Sequence, residues 1–268
     1  MDQKNKTALV TGASGGIGLE FTRQLAARGY DIILCSRNAK KLTRIKDEIE
    51  VAYGVKGYVI PCDLSQPESA EKLFTDCRNQ GITELDILVN NAGAGLCVES
   101  IYDSPAAANG VLTLNILSLT NLCILFGRQM AEQGKGRILN VASLNSRTSI
   151  PYFATYAASK SYVLSYSVAL KNELKERGVI VTCLLPGFVR TNFDDNAGIS
   201  SDKYKKMAYK SGMKAEQVAA SGLRALFRGR TVVTAGLSNK ISGFFTGLMP
   251  KTLAAAILRG YLGKMIKK

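Results

Sequence analysis

Runs of apolar residues of strand length recur along the chain at 6–11, 31–35, 57–62, 85–90, 137–142 and 179–185, with a shorter one at 231–234. Between them, apolar residues return every three to four positions over 19–28, 40–52, 66–79, 106–132, 154–176 and 215–227, and a last such pattern covers 252–266. Strand and helix patterns in alternation predict an α/β fold, a doubly wound parallel β-sheet with helices on both faces. No internal repeat, low-complexity tract or linker breaks the alternation, and 268 residues suit one domain with a large core, so 1–268 is expected to be a single domain.

Composition narrows the chemistry. The chain has no histidine, which removes a Ser-His-Asp triad and a histidine general base; near neutral pH, proton transfer must fall to a perturbed Tyr, Lys, Cys or carboxylate. The six cysteines, Cys35, Cys62, Cys77, Cys97, Cys123 and Cys183, form no Cys-x-x-Cys pair, so no metal site is expected and they read as reduced, buried packing residues. No stretch of 18 or more apolar residues occurs, and the chain enters its first strand too early for a signal peptide, so the expected location is cytoplasmic. The formal net charge of +14 is uneven: residues 190–268 hold 15 Lys and Arg against 4 Asp and Glu. Such a surface can be plainly solvated or can attract an anionic substrate, protein or membrane; the basic residues make no recognisable nucleic-acid module.

Two segments carry candidate chemistry. Tyr156 and Lys160 are four residues apart, on one face of the helix expected at 154–176, with Ser143 thirteen residues upstream. A free tyrosine titrates near ~10, and a neighbouring ammonium is expected to lower that value toward the range useful for proton transfer. Tyr/Lys pairs at this spacing also occur on ordinary helices. The other segment is a strand, a glycine turn and a helix: Thr11, Gly12, Ala13, Ser14, Gly15, Gly16, Ile17 and Gly18 follow the first apolar run. Glycines permit a tight turn and close approach to a pyrophosphate at a helix N-terminus, although glycines also serve plain turns.

Taken together, Thr11-Gly12 with Gly16 and Gly18, Asn90-Asn91-Ala92-Gly93, Asn115, Ser143, Tyr156 with Lys160, and Pro186-Gly187 resemble the ordered motifs of the short-chain dehydrogenase/reductase family over residues 5–191. The resemblance implies a Rossmann-like fold and reversible hydride transfer between a nicotinamide and a carbonyl or secondary alcohol. In that family Tyr156 would deliver the proton, Ser143 would hold the substrate oxygen, and Lys160 would lower the tyrosine pKa and bind the nicotinamide ribose. Asn115 would hold a water joining Lys160 to solvent, or is a buried amide satisfied by backbone.

The cofactor implied is NADP(H). Ser36, Arg37 and Asn38 follow the second strand, where a guanidinium accommodates a 2′-phosphate and an acid would have favoured NAD. The second cation often found in the family's glycine turn is replaced by Gly15. Further cofactor contacts carried over from the family are Gly12, Ser14, Gly15, Gly16, Ile17 and Gly18 in the first turn, Asp63 and Leu64 at the adenine, Asn91, Ala92 and Gly93 along the cofactor, and Pro186, Gly187, Val189 and Thr191 beside the nicotinamide, with Tyr156 and Lys160.

Residues 192–230 are expected to hold a mobile substrate lid, at 192–212, and a helix. Leu144, Tyr152, Phe153, Phe188 and Phe193 suggest an apolar pocket or belong to the core, and residues 238–268 form a basic amphipathic extension that could cover substrate, meet another subunit or touch a membrane as a peripheral contact. The resulting expectation is an NADP(H)-dependent reductase of a bulky apolar ketone, 3-ketoacyl or ketosteroid-like, forming a homo-oligomer. The alternatives are a non-catalytic NADP(H)-binding sensor or scaffold and a membrane-associated acyl-chain binding protein.

Overall fold

The computed structural model describes residues 6–266; residues 1–5 and the tail's Lys267 and Lys268 lie outside the described residues. Seven strands form one parallel sheet in the order β3-β2-β1-β4-β5-β6-β7: β1 Thr7–Thr11, β2 Asp31–Ser36, β3 Gly57–Pro61, β4 Ile87–Asn90, β5 Gly136–Val141, β6 Val179–Leu185 and β7 Val232–Thr234. Each lies at a position where the apolar runs predict a strand. The helices are α1 Gly16–Ala26, α2 Ala39–Tyr53, α3 Ser69–Asn79, α4 Pro105–Leu112, α5 Leu119–Glu132, α6 Ala154–Leu174, α7 Phe193–Asn196, α8 Asp202–Ser211, α9 Ala215–Phe227, α10 Leu237–Leu248 and α11 Lys251–Ile266.

Strand side chains alternate between two cores, as the period-two geometry of a strand requires. Leu9, Ile33, Leu88, Ile138 and Val181 face one way, onto Leu73 of α3, Phe126 of α5 and Val163 of α6. Val10, Ile32, Leu34, Val89 and Leu139 face the other way, onto Phe21 and Leu25 of α1, Leu42 of α2 and Leu223 of α9. Helices thus cover both faces, and each wholly buried Leu, Ile or Phe contributes about 1.5–3 kcal/mol of burial.

Several elements differ from the sequence expectation, each for a local reason. α1 starts at Gly16, inside the glycine turn, rather than at 19. α3 starts at Ser69 because Glu68 sits in the left-handed region at φ 59° and breaks the turn before it. The helix expected over 106–132 is interrupted at Thr113–Ser118 by a π-helical turn, a feature that inserts a residue and often marks a working site. By length and composition the run Pro105–Glu132 could cross a membrane, yet Leu119, Leu122, Cys123, Phe126 and Met130 pack it into the core. The expected lid over 192–212 is largely helical: α8 is capped by Ser201, whose Oγ accepts from Tyr204 N at 3.3 Å. Of the six cysteines, Cys97 is half-buried and the other five are buried, all as free thiols.

Candidate active site

β1, β2 and β3 extend the sheet in one direction and β4 to β7 in the other, so the loops after β1 and β4 diverge and open a crevice beyond the strand ends. A cleft of about 760 Å³ lies there.

The glycine turn forms one wall. Gly12 and Gly16 have φ of +67° and +54°, values that exclude most side chains. Gly18 is required for space: a Cβ there would lie 2.1 Å from the Gly12 carbonyl oxygen. Gly15 faces open space, and the α1 N-terminus has neither a side-chain cap nor an acidic residue in its first turn. Its amides and partial positive charge therefore face the cleft, suited to an anion. Gly12, Ser14, Gly15, Gly16 and Ile17 line the cleft; Gly18 stands behind them.

Thr11 locks this wall to the next one. Its buried hydroxyl accepts from Asn91 N and Ala92 N, both at 3.0 Å, while Asn91 Nδ2 donates to Thr11 O at 2.9 Å. Asn90 steadies the sheet beneath by donating to Asn140 Oδ1 at 2.9 Å, and Asn140 donates to Ser167 Oγ at 3.0 Å. Asn91, Ala92 and Gly93 all line the cleft.

The third wall carries Ser143, after β5, and Tyr156 and Lys160 on α6. Burial pushes the Tyr156 phenol up to about 12; its hydrogen bond with Ser143 pulls the other way, and the charge of Asp194 adds to the rise. Lys160 donates to Val141 O at 3.0 Å, and its Nζ lies 6.0 Å from the Tyr156 ring centre. Burial brings its ammonium down to about 8. The expectation that Lys160 lowers the tyrosine pKa is therefore corrected: desolvation dominates at both groups, and the ammonium is turned toward the β5 carbonyl.

Asn115 is wholly buried in the π turn, outside the cleft lining. Its Oδ1 accepts from Ala94 N at 3.0 Å, and its Nδ2 donates to Ala94 O at 2.9 Å and Ser159 Oγ at 3.0 Å. Protein groups satisfy the amide, so its side chain is a positioning device that ties the turn after β4 to α6. Ser159 continues the chain by donating to Tyr156 O at 2.7 Å.

The segment after β6 closes the far side. Pro186, Gly187, Val189 and Thr191 line the cleft; Thr191 presses on Gly16, where a Cβ would lie 3.1 Å from its Cγ2. Leu144, Phe153, Phe188 and Phe193 line the cleft as expected, whereas Tyr152 packs with the core cluster that includes Leu262 and Met265 of α11.

Ser36, Arg37, Asp63 and Leu64 lie outside the cleft lining. Arg37 is exposed at the end of β2; Ser36 Oγ is buried without a partner among the described residues. Burial raises the Asp63 carboxyl, but two hydrogen bonds from Ser65 and the charge of Arg37 outweigh it and leave the pKa lowered. Leu64 puts its side chain in the core and its carbonyl under the Ser118 hydroxyl, leaving only its amide for a ligand. Sequence reasoning missed Lys41, Tyr204, Asn239 and Ser242, all of which line the cleft. Of these only Lys41, three residues beyond the Asn38 cap of α2, sat near a motif; the others arrive by tertiary packing.

Comparison with known proteins agrees with this arrangement. The chain is 32% identical to the very-long-chain 3-oxoacyl-CoA reductase-B of Danio rerio over 190 residues, 69% of this chain and 60% of that protein. It is 33% identical to the very-long-chain 3-oxoacyl-CoA reductase of Anas platyrhynchos over 202 residues, 73% of this chain and 64% of that protein. The chain thus spans about 60% of the length of the curated relatives it matches. Among solved structures, a short-chain dehydrogenase from Sphingobium yanoikuyae in complex with NADPH superposes with a TM-score of 0.79 at 26% identity, covering 91% of this chain and 95% of that one. A bulky-bulky ketone specific alcohol dehydrogenase from Comamonas testosteroni gives 0.76 at 26% identity, covering 92% and 94%. The short chain dehydrogenase family model matches residues 6–202, which contain the glycine turn, Asn115, Ser143, Tyr156 and Lys160, and the chain belongs to that family.

Proposed function

We propose that the protein is an NADP(H)-dependent oxidoreductase that reduces the ketone of a bulky apolar substrate, of the 3-oxoacyl class, to a secondary alcohol. The observation that carries this reading is the convergence of Ser143, Tyr156 and Lys160 on one cleft with an uncapped, glycine-lined helix N-terminus.

The residues suit the dinucleotide. The turn offers α1 amides to a pyrophosphate, and a Cβ on Gly93 would come within 3.0 Å of Lys160 Nζ, so only a bare backbone leaves that approach open. Unpartnered Ser36 Oγ, exposed Arg37 and cleft-lining Lys41 supply a donor and two cations for a 2′-phosphate, Lys41 taking the part for which the glycine turn has no cation. When bound, the cofactor supplies the hydride.

The side chains then handle charge and proton. The hydroxyls of Ser143 and Tyr156 both line the cleft and can both donate to a substrate oxygen as negative charge gathers on it. Raised by burial above its ordinary value, the phenol is protonated at neutral pH and so holds the proton that a ketone takes up on reduction. Lys160, near 8, is mostly charged there and holds a cation against the Gly93 turn, where the cofactor would lie. The substrate class rests on the apolar wall of Leu144, Phe153, Phe188 and Phe193 and on the names of the relatives.

Consumption of NADPH, followed by absorbance, tests this against long-chain 3-oxoacyl-CoA, a ketosteroid and a small diketone, with NADH in parallel. Turnover of the 3-oxoacyl thioester, reduced about a hundred- to ten-thousand-fold by Tyr156→Phe, is expected. Tight NADPH binding with no ketone reduced would sink the catalytic reading, and faster turnover with NADH would sink the cofactor assignment.

A further inference from the structure

α10 and α11 turn apolar faces outward. On α10, Leu237, Ile241, Phe244, Phe245 and Leu248 recur at the spacing of one helical face, and all are exposed: Phe244 at 61%, Phe245 at 63%, Leu248 at 68%. The buried residue of this helix is Gly243, seated against Leu144. The helix is thus held by its smallest face and presents its bulkiest to the outside, the reverse of an ordinary surface helix. On α11, Leu253, Ile257 and Tyr261 are at least half exposed, whereas Ala254, Leu262 and Met265 are buried.

Charge decides what covers this face. From residue 217 to the C-terminus the chain has nine Lys and Arg and no Asp or Glu. A second copy laid on the same face would bring cations against cations. An anionic lipid surface answers both features, since its acyl region takes the aromatic and aliphatic side chains while its headgroups take the cations. We infer that α10 and α11 dock the protein on an anionic bilayer surface, with Phe244 and Phe245 entering the interface and the exposed Lys240, Lys251, Arg259 and Lys264 meeting headgroups.

This dock is the outer wall of the cleft. α10 carries Asn239 and Ser242 to the cleft and packs on the turn Leu144–Arg147 that follows Ser143, while Leu262 and Met265 of α11 share a core cluster with Tyr156. Docking stands independently of the reaction proposed above.

The full chain is floated on a sucrose gradient with vesicles of phosphatidylcholine alone or mixed with phosphatidylserine, at low and raised salt. Flotation is expected with the phosphatidylserine vesicles only, released by salt, and reduced at least about tenfold in Phe244→Ser/Phe245→Ser. The double variant should keep the parent's melting temperature and NADPH titration. No flotation of the parent at low salt, or flotation unchanged in the double variant, overturns the inference. So does a parent that stays off vesicles and is a dimer by light scattering while the variant is monomeric, since the face then belongs to a second copy.

Discussion

Replacing Thr11 by Val tests whether the loops after β1 and β4 are held by a single hydroxyl. The side chain is 1% exposed, and valine has nearly its shape, so no cavity forms. What is lost is one hydroxyl that accepts from Asn91 N and Ala92 N at 3.0 Å each and donates to Val89 O at 3.3 Å. Asn91 N also donates to Val89 O at 3.1 Å, so its loss is partial; Ala92 N–H is left without this acceptor. A buried donor left unpaired costs about 1–3 kcal/mol, and a weakened one a few tenths to one. Residues 91 and 92 are half-buried, which lets water recover part of the loss and sets the sum near 2 kcal/mol. For a domain of this size that lowers Tm by roughly 4–8 °C. Thr11→Ser keeps the oxygen and should lose less than half as much. Thermal unfolding by circular dichroism reads both, and NADPH titration should show weaker binding in the valine variant alone. If Thr11→Val melts within about 1 °C of the parent, the hydroxyl does not tie the two loops together.

Gly18→Ala forces a Cβ to within 2.1 Å of Gly12 O, so the glycine turn must shift; NADPH affinity, read by fluorescence titration, should fall at least about tenfold while the chain still folds. Arg37→Asp exchanges a guanidinium for a carboxylate at the end of β2, and the ratio of kcat/KM for NADPH over NADH should fall by roughly ten- to a hundredfold, with an unchanged ratio refuting the 2′-phosphate role. Burial lowers Lys160 from 10.5 to about 8, so between those values the folded chain binds fewer protons than the unfolded one and stability rises with pH. The penalty is fully present below about 8 and amounts to about 3 kcal/mol over the window; in urea unfolding, Lys160→Met should remove that slope between pH 8 and 10, and parallel slopes would contradict it.

What could be read in the sequence was what short spacing encodes. The glycine turn is legible because its φ values and the 2.1 Å approach at Gly18 admit nothing larger, and Tyr156 with Lys160 because four residues on a helix bring side chains together. The parallel sheet with helices on both faces followed from the βαβ alternation, whereas the strand order is seen only in the fold. The π turn at Asn115 was not legible, since its apolar pattern continues through Thr113–Ser118 as an α-helix would. Asn239 and Ser242 come from α10, far along the chain, and reach the cleft only because Gly187 leaves room: a Cβ there would stand 2.5 Å from Asn239 Oδ1. The raised Tyr156 phenol was illegible for a related reason, because sequence displays a neighbouring lysine but neither the burial of the phenol nor the Val141 carbonyl that takes the ammonium.

The division between legible and illegible residues coincides with a division of labour in the cleft. Thr11 ties the turn after β1 to the turn after β4; Asn115 ties that second turn to Ser159, and Ser159 holds the Tyr156 carbonyl. Lys160 ties α6 back to the end of β5 through Val141. This closed circuit of hydrogen bonds fixes the cofactor side and the proton donor relative to each other, whatever ketone arrives. The opposite wall, from α7, α8 and α10, meets the circuit mainly through side-chain contacts such as Thr191 on Gly16, Phe193 beside the Tyr156 ring at 5.5 Å, and Asn239 on Gly187. Substitutions there can reshape the pocket without breaking the circuit, so a change of substrate within this fold should begin at Phe193, Tyr204 and α10 and leave Thr11, Asn115 and Ser159 untouched.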